Sequence, residues 1–313
     1  MSLVQKSSRG EVTVEHTQSG LVVVRLLGPF EIGFEGAGKN PWRSKKCTNL
    51  FAFLLINHGR LVSRGRLEQL LWPQPKRPAG PTALKVLVHT LRRALDVTFG
   101  GDRDFLRIDS GDGGYRLVLG ERVRVDIHEF EQLCRNASEA SRHGETDVVV
   151  DYYNRAVEIY QGDFLGERGE EWAREQREWL RAKMMHALGH LMQHANDIDD
   201  APAAIGHARR MLELDPAEER AFQAMILVHG RRAELDQVNY WYELCIGRLA
   251  RELDVAPQEE TRRLLLRAQN GDLVGSCGTG RRRPPRRRRR RTCTTANSGP
   301  LPEDSEGGRW PKS

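Results

Sequence analysis

The residues best placed to do chemistry lie between Pro81 and Leu95, and that chemistry is recognition of a polyanion. Leu84, Val88, Leu91 and Leu95 fall at the spacing of one helix face, which reads as a core-facing stripe. The opposite face carries Thr82, Lys85, His89, Thr90, Arg92 and Arg93. A helix of this kind fits the major groove of double-stranded DNA, with short polar groups toward base edges and guanidinium groups on phosphates. A second basic group, Arg43, Lys45 and Lys46, opens an earlier helix. Cations there oppose the helix dipole, so phosphate contact explains them better than helix stability does. The bland alternative, an amphipathic surface helix with solvated charges, has the same pattern.

Other candidate chemistry is weaker. His186, His190 and His194 recur every four residues, a spacing at which two imidazoles can share a metal, but there is no HExxH. No metal is expected, and the three read as a polar or partly buried helix surface. Trp172, Trp179, Tyr240, Trp241 and Tyr242 read as core or packing between helical repeats, with a ligand or partner groove as the alternative. The chain contains neither a GxxxxGK[ST] loop nor a GxSxG elbow, and no cysteine pairs with a histidine by sequence logic. No catalytic constellation and no cofactor are expected.

Charge separates the chain into parts. Residues 1–124 hold 20 Lys and Arg against 11 Asp and Glu, a net of +9. Residues 125–270 carry a net of −10, and 271–313 a net of +7. The front part is suited to nucleic acid; the middle part is repelled by it and suits solvent or a protein partner. On charge alone, segment 21–124 is expected to bind DNA by itself, more weakly if pairing is lost. The longest apolar run, Leu50 to Ile56, has seven residues, against the roughly 20 a transmembrane helix needs. No membrane association and no secretion are expected. Five scattered cysteines without a CxxC pair point to a reducing, cytoplasmic setting.

The elements that must carry these residues follow from periodicity and punctuation. Leu21 to Phe34 reads as strands interrupted at Gly28-Pro29. Helices are expected over Thr48 to His58, over Arg64 to Trp72 with Ser63 as cap, and over Pro81 to Leu95. Phe105 to Leu119 reads as a hairpin around a Gly/Asp turn. Strands, three helices and a terminal hairpin are the layout of a winged helix. From Asp126 onward the pattern is helical, near 126–142, 145–161, 168–195, 200–213, 217–230, 233–253 and 257–269. Paired helices of these lengths suggest a tetratricopeptide-like repeat domain, with Asp215-Pro216 at a repeat junction.

The expected fold is therefore an α+β winged helix followed by an all-α repeat domain. The expected boundaries are 1–20 disordered, 21–124 DNA-binding, 125–269 helical and 270–313 a disordered arginine-rich tail. Nine arginines fall within Arg281 to Arg291. Three readings of the tail stand: a non-specific DNA arm, a solvated tail, or the product of a frame disruption. The favoured reading is a tail dispensable for folding. The rival to a DNA-binding function is a helical scaffold whose front domain docks protein.

The stretch Pro81 to Leu95 with Gly114-Tyr115-Arg116-Leu117 resembles the OmpR-type winged helix. Leu26 to Glu31, Leu61-Val62-Ser63-Arg64 and Leu70-Leu71-Trp72 resemble the Streptomyces antibiotic regulatory protein family. Asp126 to Glu131, Tyr160 to Leu165 and Leu249 to Pro257 are similar to that family's bacterial transcriptional activator domain. The resemblance covers about 21–269. It implies a transcriptional activator that binds tandem direct repeats as a homodimer or paired protomers, recruits RNA polymerase and controls secondary-metabolite genes. It also implies that the Pro73–Pro78 loop, with Gln74, Lys76 and Arg77, contacts polymerase. This chain has Thr90 where the family commonly has arginine. Its wing tip, Asp109 to Gly113, carries two acids. Minor grooves repel carboxylates, so phosphate contact from the wing is expected from Arg107 and Arg116 on the flanking strands instead.

Overall fold

The computed structural model describes residues 20–42, 44–73, 82–166 and 171–274. The ends expected to be disordered, up to 19 and from 275, lie outside the described residues, as do Arg43, Gln74, Lys76 and Arg77.

Two small sheets and three helices form the front half. Strand β1 (Val22–Arg25) pairs antiparallel with β2 (Glu31–Phe34). Helix α1 (Lys45–Ile56) buries Leu50, Phe51, Leu54 and Leu55. The short strand β3 (Val62–Ser63) leads into α2 (Arg64–Leu71), where the Ser63 hydroxyl accepts from the Arg66 amide, as a cap should. Helix α3 (Ala83–Phe99) is followed by the hairpin β4 (Leu106–Gly111) and β5 (Gly114–Leu119). Its turn residues Asp112 and Gly113 both have positive φ, 29° and 80°, the handedness a two-residue hairpin turn demands. Strand β3 joins this hairpin through Val62↔Tyr115 and Ser63↔Gly114. A side chain at Gly114 would meet the Val62 carbonyl at 2.3 Å, so only glycine lets the wing lie this close to β3.

Three features depart from the expectations. Helix α1 starts at Lys45 rather than Thr48. Helix α3 continues past Leu95 to Phe99, because nothing breaks it before Gly100, which takes the left-handed cap (φ 64°). Strand β6 (Val123–Val125) pairs in parallel with β1. Three residues are too few to show an alternation, so neither it nor β3 was legible.

The second half is helical: α4 (Asp126–Arg142), α5 (Thr146–Ile159), α6 (Arg174–Asp197), α7 (Ala201–Leu214), α8 (Glu219–Arg231), α9 (Leu235–Leu253) and α10 (Glu259–Gln269). A 3-10 turn, Glu171–Ala173, precedes α6. Successive helices pack on one another, and α10 returns onto α8 and α9. The folded chain runs past the expected boundary at 270. Leu273 is buried among Ile226, Val238 and Ala268.

The halves share one hydrophobic core, continuous from Val22 to Met225. Where β6 becomes α4, the Asp126 carboxylate accepts from the backbone amides of Leu26 (2.6 Å), Leu27 (2.7 Å) and Ile127 (2.7 Å). The Tyr160–Leu165 segment docks on the same strand end: Gly28 N–H donates to the Asp163 carbonyl (3.1 Å), and Leu165 N–H to that of Leu26 (2.8 Å). Tyr160 and Arg181 both donate to the Asp163 carboxylate. Trp172 sets its ring edge-on to Phe53 of α1 and Phe164. Of the two expected placements, core or packing between repeats, it takes the first, against the core that the two halves share. Segment 21–124 is thus not a self-contained core: without the helical half, Leu26 and Leu27 lose both their cover and their hydrogen-bond acceptor.

Candidate nucleic-acid interface

The core of the front half decides which face of α3 is outward. Leu84, Val88, Leu91, Leu95 and Phe99 are buried, and Phe99 meets Phe34 and Phe105 at 5.7 and 5.9 Å. With that stripe fixed, the 100° helical step leaves Thr82, Lys85, His89, Thr90 and Arg93 exposed. These five side chains lie along one solvent-facing surface.

Arg92 is different. It sits at the edge of the helix facing the wing, and its guanidinium donates from Nε (3.0 Å) and Nη2 (2.5 Å) to the Ile108 carbonyl and from Nη2 to Ser110 Oγ (2.8 Å). Its side chain clamps α3 to β4, which corrects the reading of Arg92 as simply another outward cation. Thr90 lies toward the other edge. Its hydroxyl donates to the Val86 carbonyl (2.9 Å), one helical turn back. His89, Thr90 and Arg93 border a groove of about 620 Å³ whose far wall is Phe34, Lys39 and Pro41.

On the wing, Arg107 and Arg116 share the outward face, since their strand neighbours Leu106, Ile108 and Leu117 point inward. Asp109 lies opposite Arg116 and within 3.4 Å of Arg107. One of the two acids of the wing tip is therefore offset by its own strand. At the start of α1, Lys45 and Lys46 are exposed, and the Lys46 ammonium stands 4.5 Å above the Trp72 ring at the end of α2.

Two groups escaped the sequence reading. Val86 is 60% exposed and Val97 80% exposed, on the same outward ridge as Arg93. An apolar tip there is the group that packs on thymine methyls. Inside the run Leu84 to Val88, Val86 looks like core; only its angular offset from Leu84 gives it away. Arg64 and Arg66 are exposed at the start of α2, beside the wing, where the Arg64 amide donates to the Gly113 carbonyl (3.0 Å). Only the β3–β5 pairing brings them to this face.

The arrangement offers cations from α1, α2, α3 and two wing strands around one helix that presents hydroxyl, imidazole and methyl groups. That set can neutralise phosphates while reading base edges. The residues set aside earlier have structural work. Tyr153 packs against the rings of His186 (5.9 Å) and His190 (5.3 Å), and burial together with its two histidine neighbours lowers the His190 pKa. Among the described residues, no group of three or more His, Cys, Asp or Glu is arranged to hold a metal. Trp179 and Tyr240, expected in the core or in packing between repeats, are more than half exposed. No helix among the described residues is long and apolar enough to cross a membrane.

Comparison with known proteins gives this geometry a family. Residues 38–117 match the model described as transcriptional regulatory protein, C terminal, and 125–267 match the bacterial transcriptional activator domain. The transcriptional regulatory protein MoaR1 of Mycobacterium tuberculosis is 26% identical over 283 residues, covering 85% of this chain and 86% of the relative. The regulatory protein DnrI of Streptomyces peucetius is 26% identical over 147 residues, 45% of this chain and 53% of the relative. Mycobacterium tuberculosis EmbR, solved with a low-affinity phosphopeptide, superposes with a TM-score of 0.64 at 19% identity. The match takes in 80% of this chain and 65% of that one, and shows the same fold. Both domains in this order, with regulatory proteins as relatives, fit the Streptomyces antibiotic regulatory protein family of transcriptional regulators.

Proposed function

We propose that the protein is a sequence-specific DNA-binding activator that places α3 in the major groove of promoter direct repeats. The observation that carries this reading is the outward face of α3, where Lys85, His89 and Arg93 surround the exposed Val86 while Arg92 fixes the wing beside them. Cations from Lys45, Lys46, Arg107 and Arg116 supply phosphate contacts around it. Two protomers pair on adjacent repeats, and the helical half, too acidic to approach DNA, serves pairing and activation. Recruitment of RNA polymerase through the 73–78 loop, and control of a secondary-metabolite gene cluster, follow from the family resemblance. The regulatory relative DnrI comes from a Streptomyces, which supports that direction.

The test is a mobility-shift titration on DNA from the protein's own genomic neighbourhood across salt concentrations. Affinity is expected to fall steeply with salt, and Lys85→Ala and Arg93→Ala are each expected to lower the salt slope by about one phosphate contact. Salt-independent binding, or unchanged affinity in the double alanine variant, points instead to a front domain that docks protein.

A further inference from the structure

Within the acidic helical half lies one basic cavity. It opens between α4 and α6 and has a volume of about 560 Å³, the size of a small-molecule site. Helical spacing builds both walls. Arg135, Ser138 and Arg142 share one face of α4; Trp179, Lys183 and His186 share one face of α6. The floor is Cys134 and Tyr153, 6% and 2% exposed.

The charges are arranged for an anion. Arg135, Arg142 and Lys183 line the cavity against a single carboxylate, Glu139. None of the three is within ion-pair distance of an acid among the described residues. Arg135 donates to the Gln132 side chain (2.7 Å), and the Lys183 ammonium stands 4.6 Å above the Trp179 ring. The indole N–H of Trp179 donates to Glu131 (3.1 Å), which holds the ring at the rim. The surrounding domain, at a net of −10 over residues 125–270, repels an extended polyanion. A single anion inside the cavity meets three cations at short range, where they outweigh more distant acids across solvent.

We infer that this cavity is an effector site for a small planar molecule carrying one carboxylate or similar anionic group, its apolar body against Trp179 and Tyr153 and its charge among Arg135, Arg142 and Lys183. The site is independent of the DNA-binding reading, since none of its residues belongs to that face.

The experiment uses the full-length protein and two fluorescent probes of the same shape, 1-anilinonaphthalene-8-sulfonate and its uncharged analogue N-phenyl-1-naphthylamine. The anionic probe is expected to bind more tightly, and Arg142→Gln with Lys183→Gln to weaken it by about tenfold or more, the usual scale for losing charged hydrogen-bond partners. The neutral probe should be unaffected by that double variant, and both probes by Arg251→Gln, which removes a distant surface charge. Absence of anionic-probe binding, equal binding of both probes, or a similar loss in Arg251→Gln overturns the proposal. So does a double variant that binds the anionic probe within about twofold of the parent.

Discussion

Arg92 and Arg93 are chemically identical and adjacent, yet the helix turns them to different tasks. Arg92 spends two donors on the carbonyl of buried Ile108, and Arg93 is exposed beside Val86 and Val97. Losing hydrogen bonds from a charged group to a buried carbonyl costs about 1–3 kcal/mol. Arg92→Ala is therefore expected to lower unfolding stability by about that amount and to loosen the wing. Arg93→Ala should stay within about 0.5 kcal/mol of the parent while weakening DNA binding. Urea unfolding of both variants beside a DNA titration separates the roles. An Arg92→Ala variant within about 0.5 kcal/mol of the parent would show that the Arg92 clamp contributes nothing to the fold.

At the scale of elements, the last helix depends on a residue beyond it. Glu219 accepts from the Gln258 amide and the Thr261 hydroxyl, which fixes the start of α10 against α8. The other end is closed by Leu273, only 1% exposed, lying over Gly230 and Ala268. A side chain at Gly230 would meet Leu273 Cδ1 at 2.7 Å, so glycine makes room for this contact. Removing a buried leucine side chain commonly costs about 2–5 kcal/mol. A chain ending at residue 269 is accordingly expected to melt below one ending at 274, by differential scanning fluorimetry. Identical melting would mean that Leu273 adds no stability.

The whole molecule turns on Asp126, the residue through which the helical half grips the first strand. Burial pushes its pKa up to about 6, against the pull of three backbone donors and of Arg25. The ordinary carboxylate value is 3.8, so between about pH 4 and 6 the folded protein holds a proton that the unfolded chain has released. Folding is then favoured by lower pH: this group's contribution improves as pH falls through about 6 and levels off near 4, by roughly 3 kcal/mol in all. Denaturant unfolding of the parent and Asp126→Asn across that window should show the parent gaining stability relative to the variant as pH is lowered. A difference that is flat, or that grows with rising pH, would contradict the buried-carboxylate account.

Much of this was legible in the sequence because it depends on local periodicity and punctuation. The 3.6-residue spacing of Leu84, Val88, Leu91 and Leu95, the Ser63 cap and the Asp112-Gly113 turn fix α2, α3 and the wing without distant partners. The change of charge near residue 125 marks where strands give way to helices. What remained hidden depends on residues far apart in the chain. Strands of two and three residues, β3 and β6, exist only because Gly114 and Val22 lie beside them. Arg92 looks like its neighbour until β4 supplies a carbonyl. Trp172 reads as core or repeat packing, and only the fold sets it against Phe53 of α1. Local pattern dictated the helices, the longer strands and the sign of most of their faces. Tertiary structure alone decided that two apparent domains share one core, since burying Leu26 and Leu27 requires cover and a carboxylate supplied a hundred residues later.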